Sequence, residues 1–398
     1  MANLIDTLAP GSFAVNKARS DWTDIFQKAC DLGGTWILPE RVYKISSTII
    51  AKQDGTKFVA AHTGAVPQLR FMGKNFTAPS WNGVKCVIPT CWWIASKCRF
   101  TGIRFTLEAP DDNKDKAVLT FQRVRREGSS ASEADMDSSV DNCAFSDIRT
   151  DLEIEGAGAI NWLGRNMRVQ GCMFSSGGGS GHVRSISLSY AMGDDTDGQN
   201  AETGGHRKNI IRNNTFHLTK GSTAIELYQA KGVPAGVYCN GLLIANNMLD
   251  VGGTLVSVET GANTRGLVVN GNSCFRSSRR PYIHFNDKTI NSSAVITGNS
   301  FFGDIGSENF ADGIKSEATA KLELVTISGN AFSRPEKACV HLLGVNDKVV
   351  ISGNSFDSEG RKGCAVIGKI GTGLVSSNTY NTKKIGKLGN QWIESNNI

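Results

Sequence analysis

Four residues able to move protons share one offset in this chain. Glu155, Glu226, Glu259 and His284 lie ten residues beyond Phe145, Phe216, Leu249 and Cys274. Their settings, Ile154-Glu155-Gly156, Ile225-Glu226-Leu227 and Val258-Glu259-Thr260, alternate as a half-exposed strand does. If the offset is structural, Glu226 and Glu259 are neighbours on adjacent strands with backbones about 4.8 Å apart. Like charges so placed repel by up to about 1 kcal/mol. That repulsion raises the pKa of one carboxyl, the separation of roles needed for a general acid beside a base or nucleophile. The plainer alternative is a solvated glutamate stripe on an open sheet. His341, in Val340-His341-Leu342, falls on the same face one register short.

A second group sits in one polar stretch, Gly193 to Arg207, with Asp194, Asp195, Asp197, Glu202 and His206. Loops of this length on a rigid scaffold are functional candidates, and Asp195 is an alternative water-activating base. The aspartates resemble part of a calcium loop, but the closing Glu of that pattern is missing, so no cofactor is expected, with calcium the one metal worth a thought. No Cys-x-x-Cys and no Gly-x-Ser-x-Gly occurs, which argues against zinc and against a serine nucleophile.

What must position these groups is a repeat: an apolar residue, two spacers, a small or Asn residue, a spacer, then a large apolar residue. Clean copies are Ile211 to Phe216, Ile244 to Leu249, Ile296 to Phe301, Ile327 to Phe332 and Ile351 to Phe356. Val269 to Cys274, Val375 to Tyr380, Val140 to Phe145 and Val169 to Phe174 are looser, and Phe100 to Phe105 and Phe71 to Phe76 fainter. The third position of the copy is Gly or Asn in nearly every case, the residues that tolerate a left-handed backbone, so each copy predicts strand, sharp turn, strand. The position after it reads Cys143, Cys172, then Asn214, Asn247, Asn272, Asn299, Asn330, Asn354 and Asn378. Identical side chains in register can hydrogen-bond along an axis. The expectation is an all-β, single-stranded right-handed parallel β-helix of about eleven coils, because a short repeat recurring this often dictates a solenoid. An antiparallel sandwich with Asn-Gly hairpins would not explain why Asn recurs in one register beside an aromatic.

Composition is compatible. The chain has 398 residues with 44 Gly and 9 Pro, and a net charge of +6 that gives no case for a nucleic-acid partner. No apolar run approaches membrane-spanning length, and the start lacks a basic-then-apolar export signal. Of the 10 cysteines, Cys143, Cys172 and Cys274 fall on inward positions, where Cys packs as a small apolar filler. Residues 1–50 are expected to cap the solenoid, with a helix over 20–32 started by Ser20 and stopped by Gly33-Gly34; the coils span 51–385 and a tail 386–398.

The run Ala29-Cys30-x-x-Gly33-Gly34-Thr35-x-x-x-Pro39-x-x-x-Tyr43-x-Ile45, followed by Val/Ile-x-x-Gly/Asn-Asn-x-Phe coils, resembles the pectin-lyase-like β-helix superfamily. Within it the chain is most similar to bacteriophage tailspike and capsular depolymerase proteins, over about residues 20 to 385. It departs from them in lacking a recognisable virion-binding N-terminal domain and a separate trimerising C-terminal domain. The Asn-x-Asp, Asp-Asp and Arg-x-Lys motifs of polygalacturonases are also absent.

The resemblance implies a bacterial surface polysaccharide as partner, a homotrimer, and a virion-tail or extracellular location without membrane insertion. It implies a glycoside hydrolase with Glu226, Glu259 or Asp195 as catalytic carboxylates. Around them Glu155, Asp194, Asp197, His206 and His284 would meet substrate, Arg265, Arg279, Arg280 and Tyr282 would grip acidic sugars, and Tyr190, Tyr228 and Tyr238 would stack on rings. For each, solvation or packing is the ordinary alternative. A polysaccharide lyase built on Arg279, Arg280, Tyr282 and His284, and a glycan-binding adhesin without activity, are the competing functions.

Overall fold

The turn chemistry and the in-register asparagines build a right-handed parallel β-helix, seen in a computed structural model. The structure describes residues 2–3, 20–61, 66–76, 80–81, 84–85, 88–93, 97–108, 110–122, 135–151, 154, 156–163, 165–176, 182–189, 209–219, 221–229, 239–250, 252–275, 280–303, 310–357, 364–381, 388–389 and 391–398. The chain forms two compact units, one of residues 1–200 with 230–232 and one of 201–229 with 233–398.

In the first unit, three parallel ladders stack. Trp36, Phe58, Phe100, Val140 and Val169 are in register on the first, before the sharp turn. Tyr43, Leu69, Phe105, Phe145 and Phe174 are in register on the second, after it. Cys91, Leu119, Ile160 and Ile186 follow on the third. The rings of Phe105, Phe145 and Phe174 stack 4.9 Å apart at each step, almost parallel. Burying one such ring contributes about 1.5–3 kcal/mol.

The helix Thr23–Leu32 lays Ile25, Phe26, Ala29 and Cys30 on the first rung, with Phe26 5.3 Å from Phe58. Gln27 imitates a strand there: its side chain donates to the Ile50 carbonyl and accepts from the Ile50 amide, both at 2.9 Å. An open solenoid edge is satisfied in this way. The helix starts later than Ser20, because the Asp21 carboxylate accepts the Thr23 amide at 2.9 Å and sets Trp22 as the last non-helical residue. The faint copy at Phe71 to Phe76 is not a turn: Phe71 sits within the strand Gln68–Asn75, paired with Leu107 on the second ladder.

The second unit repeats the pattern. Ile211, Ile244, Val269, Ile296, Ile327, Ile351 and Val375 form the first ladder. Phe216, Leu249, Cys274, Phe301, Phe332, Phe356 and Tyr380 form the second. Residues Asn213, Asn246, Gly271, Gly298, Gly329, Gly353 and Ser377 make the left-handed turn between them, with φ of 53–64°. Residues 391–395, set outside the coils by the sequence, pair in parallel with Thr372–Ser376 as a further rung.

Each asparagine after the turn holds the next. The Asn272 amide and Nδ2 both donate to Asn299 Oδ1, at 3.0 and 2.9 Å, and Asn299 treats Asn330 the same way. Asn299 Nδ2 also donates to the Val269 carbonyl of the coil before. The ladder runs from Asn214 to Asn378, which bonds Asn397 in turn. In the first unit, Cys172 takes this place and its thiol donates to the Val140 carbonyl at 3.4 Å. A buried donor left without a partner costs about 1–3 kcal/mol. Asn299→Ala strips the buried Asn272 amide of its acceptor, while Asn272 Nδ2 keeps the Ile244 and Asn270 carbonyls, so the substitution should lower stability by about 1–3 kcal/mol. Asn397→Ala, at the half-exposed last step, should cost under about 1 kcal/mol. Urea midpoints measure both, and equal losses would show that the ladder is not what carries the effect.

Candidate functional site

The third ladder of the second unit gathers the ionisable groups. Ile225, Val256, Ile283, Ile314 and Val340 are fully buried and in register, and the next residues, of opposite facing, are Glu226, Ser257, His284, Lys315 and His341. A second column lies just past the strand ends. The amides of Glu259, Asn286 and Glu317 bond the preceding coil at Leu227, Val258 and Phe285 oxygens, at 2.8, 3.0 and 2.9 Å. These residues are therefore successive members of one column, and Glu259 and Glu317 stand two coils apart, about 9.6 Å between backbones.

This overturns the expected pairing of Glu226 with Glu259. Ser257 is opposite Glu226, and Glu259 is two residues further along. The constant offset fails because the link from His217 to Thr223 is longer than that from Asp250 to Thr254. Gly253 makes the short link possible: with φ of 115°, any Cβ there would lie 2.8 Å from the Ser222 carbonyl oxygen. His341, read as one register short, is in step with His284 through Lys315. Glu226 has no exposed surface, whereas Glu259, His284 and Glu317 are half-buried.

The columns are cross-linked. Ser257 Oγ donates to Glu259 Oε1 at 2.6 Å, and Asn286 Nδ2 donates to Glu259 Oε2 at 3.3 Å and to Ser257 Oγ at 3.2 Å. Glu317 Oε1 receives Lys315 Nζ at 2.6 Å and lies 2.8 Å from His284 Nε2. His341 Nδ1 lies 3.1 Å from Asp312 Oδ1, a buried carboxylate that also accepts the Ala338 amide. Burial pulls the His284 pKa down, more than the Glu317 carboxylate raises it. Burial works against ionisation of Glu317, but the bonds from Lys315 and His284 hold its carboxyl below the ordinary value. The arrangement thus offers an ionised carboxylate, a neutral imidazole and a second carboxylate along one face.

Other expected residues fall elsewhere. Tyr282 is a core residue: it is fully buried, stacks on Phe301 at 5.6 Å and donates its hydroxyl to the Phe302 carbonyl at 2.8 Å. Tyr228 is 5% exposed, which leaves little ring to stack on a sugar. Arg265 is exposed on a fourth ladder, in register with Ser292 and Glu323, and not on this one. Arg280 is exposed four residues before His284. Glu155, Tyr190, Asp194, Asp195, Asp197, His206, Tyr238 and Arg279 lie outside the described residues. Sequence reasoning missed Ser257, Asp312, Lys315 and Glu317. The alternation Ile314-Lys315-Ser316-Glu317 was a usable signal, but Lys315 comes fourteen residues after Phe301, outside the fixed offset.

No protein-family model and no curated protein sequence matches this chain. Solved structures do resemble it. An exopolygalacturonase from Thermotoga maritima is 12% identical with a TM-score of 0.53, over 97% of this chain and 92% of that one. The A-module of a mannuronan C-5 epimerase from Azotobacter vinelandii is 11% identical with a TM-score of 0.51, over 100% and 99%. The Dettilon tailspike protein is 12% identical with a TM-score of 0.50, over 92% and 68%. Identities this low speak to architecture alone, and the architecture is a right-handed parallel β-helix.

Proposed function

We propose that the protein is a tailspike-like depolymerase that binds a bacterial surface polysaccharide and hydrolyses its glycosidic bonds. One observation carries the reading: Glu259 and Glu317 occupy one column two coils apart, both partly exposed, with His284 interacting with each. A backbone spacing of about 9.6 Å suits two carboxylates that flank a sugar and admit a water between. In this reading Glu317, held ionised by Lys315 and His284, takes a proton from the water that attacks the anomeric carbon. Glu259, steadied by Ser257 and Asn286, gives its proton to the departing glycosidic oxygen. Glu226 lies beneath as a covered neighbour, and the scheme uses no cofactor. The tailspike and polysaccharide-enzyme likenesses support a glycan partner. As part of the same proposal the protein acts as a homotrimer on the virion tail or after release outside the cell, and sedimentation velocity would read a monomer if that part is wrong.

Glu259→Gln and Glu317→Gln should each lower kcat on a cleaved polysaccharide by about 10²–10⁴-fold with little change in KM. New reducing ends without ultraviolet absorbance are the expected product. An unsaturated sugar would instead make the protein a lyase, and loss of turnover in Glu226→Gln but not Glu317→Gln would return catalysis to the covered residue.

The same groups set an acid limit on stability. His284 and Glu317 both have folded pKa values below their ordinary 6.5 and 4.5, so the folded state binds fewer protons than the unfolded one. Their contribution is complete above those values and is lost as pH falls through them. The melting temperature should therefore drop on acidification from above 6.5 to below 4.5, and Glu317→Gln should flatten that slope near 4.5 and steepen it near 6.5, where burial alone then pulls His284 down. An unchanged slope would mean the dyad does not couple to folding.

A further inference from the structure

The charge pattern of this face narrows its substrate beyond a polysaccharide in general, to a class defined within the hydrolase reading and resting on it. Carboxylates at Glu226, Glu259, Asp312 and Glu317 share the two columns and their flank with one ammonium, Lys315, and two imidazoles. The ammonium and the two imidazoles there already have carboxylate partners. Lys315 Nζ is 2.6 Å from Glu317, His284 Nε2 is 2.8 Å from the same oxygen, and His341 Nδ1 is 3.1 Å from Asp312. The Asp312 side chain is only 3% exposed, so its charge is poorly screened by water. Even with Glu259 holding the proton it donates, carboxyl groups outnumber Lys315 among these described residues, although the whole chain carries +6.

We infer that the glycan segment seated on this face is uncharged. Sugar hydroxyls can donate to the free lone pairs of Glu259 and Glu317, and neutral rings lose nothing electrostatically by approaching them. A uronate would bring its own carboxylate against the ionised Glu317. Like-charge juxtaposition is a strong device against the wrong partner, and Lys315 would have to share its single charge between Glu317 and the uronate. Of the residues expected to grip acidic sugars, Arg265 lies on another ladder and Tyr282 in the core, Arg280 is exposed before the strand, and Arg279 lies outside the described residues.

Surface polysaccharides extracted from candidate host bacteria can be separated by anion exchange into neutral and acidic pools. The full chain is then assayed on each for new reducing ends, with Glu317→Gln as the control. Cleavage at least about tenfold faster in the neutral pool, insensitive to added salt, is the expected result. Cleavage confined to the acidic pool, abolished by Glu317→Gln, overturns the charge inference and leaves the carboxylate mechanism standing. Cleavage of the neutral pool that survives both Glu259→Gln and Glu317→Gln has the opposite meaning: the mechanism falls and the charge selectivity stands. No cleavage in either pool removes the hydrolase reading and this inference with it.

Discussion

Everything in this molecule depends on a repeat distance. Parallel strands stack about 4.8 Å apart, and each coil must offer its neighbours the same pattern of donors, acceptors and apolar surface. A buried turn cannot turn to water for its hydrogen bonds, so the coils above and below must supply them. The asparagine ladder answers that need with one side chain per coil, its oxygen accepting two bonds from the residue before and its amide bonding two coils at once. Register then propagates from the ladder to the aromatic stack two residues on, and from there around the coil.

That chain of constraint explains which parts could be read from sequence. The turn, the ladder and the aromatic stack are separated by fixed numbers of residues because backbone geometry there admits no insertion. Asn299 and Phe301 are placed by the same left-handed residue, Gly298. The cysteines at 143 and 172 were legible as fillers, and the thiol of Cys172 even keeps the asparagine's bond to the coil before. Fine detail at the ends was less legible, since a helix start depends on which side chain reaches a free amide, and Asp21 reached where Ser20 was expected.

The site was half legible, for a physical reason. Between the second and third ladders the chain leaves the stack, and that link is free to lengthen or shorten as long as its ends return to register. Between in-register residues, Phe216 to Ile225 and Cys274 to Ile283 are both nine residues, whereas Leu249 to Val256 is seven. A constant count therefore found Glu226 and His284 on one column but set Glu259 on the wrong one, and passed over Lys315 and Glu317. The outward facing of Glu226 and His284 was legible, because strand alternation holds once a strand has begun.

This division between rigid stack and variable link also bears on how such a face carries chemistry. The backbone supplies positions at a nearly fixed pitch, so the spacing of any two groups on one column is quantised in steps of about 4.8 Å. One step is too close for two carboxylates to ionise comfortably and crowds out a water, whereas two steps leave room for both a sugar and its attacking water. Here the intervening coil contributes Asn286 and His284, groups that bond to the carboxylates without adding a third negative charge between them. Ser257 likewise separates Glu226 from Glu259 by hydrogen bonding where the naive register would have placed repulsion. The two-residue shortening at Gly253 is thus more than a local accident of the chain: it turns an unfavourable carboxylate pair into an alternating, hydrogen-bonded column while leaving the core register untouched.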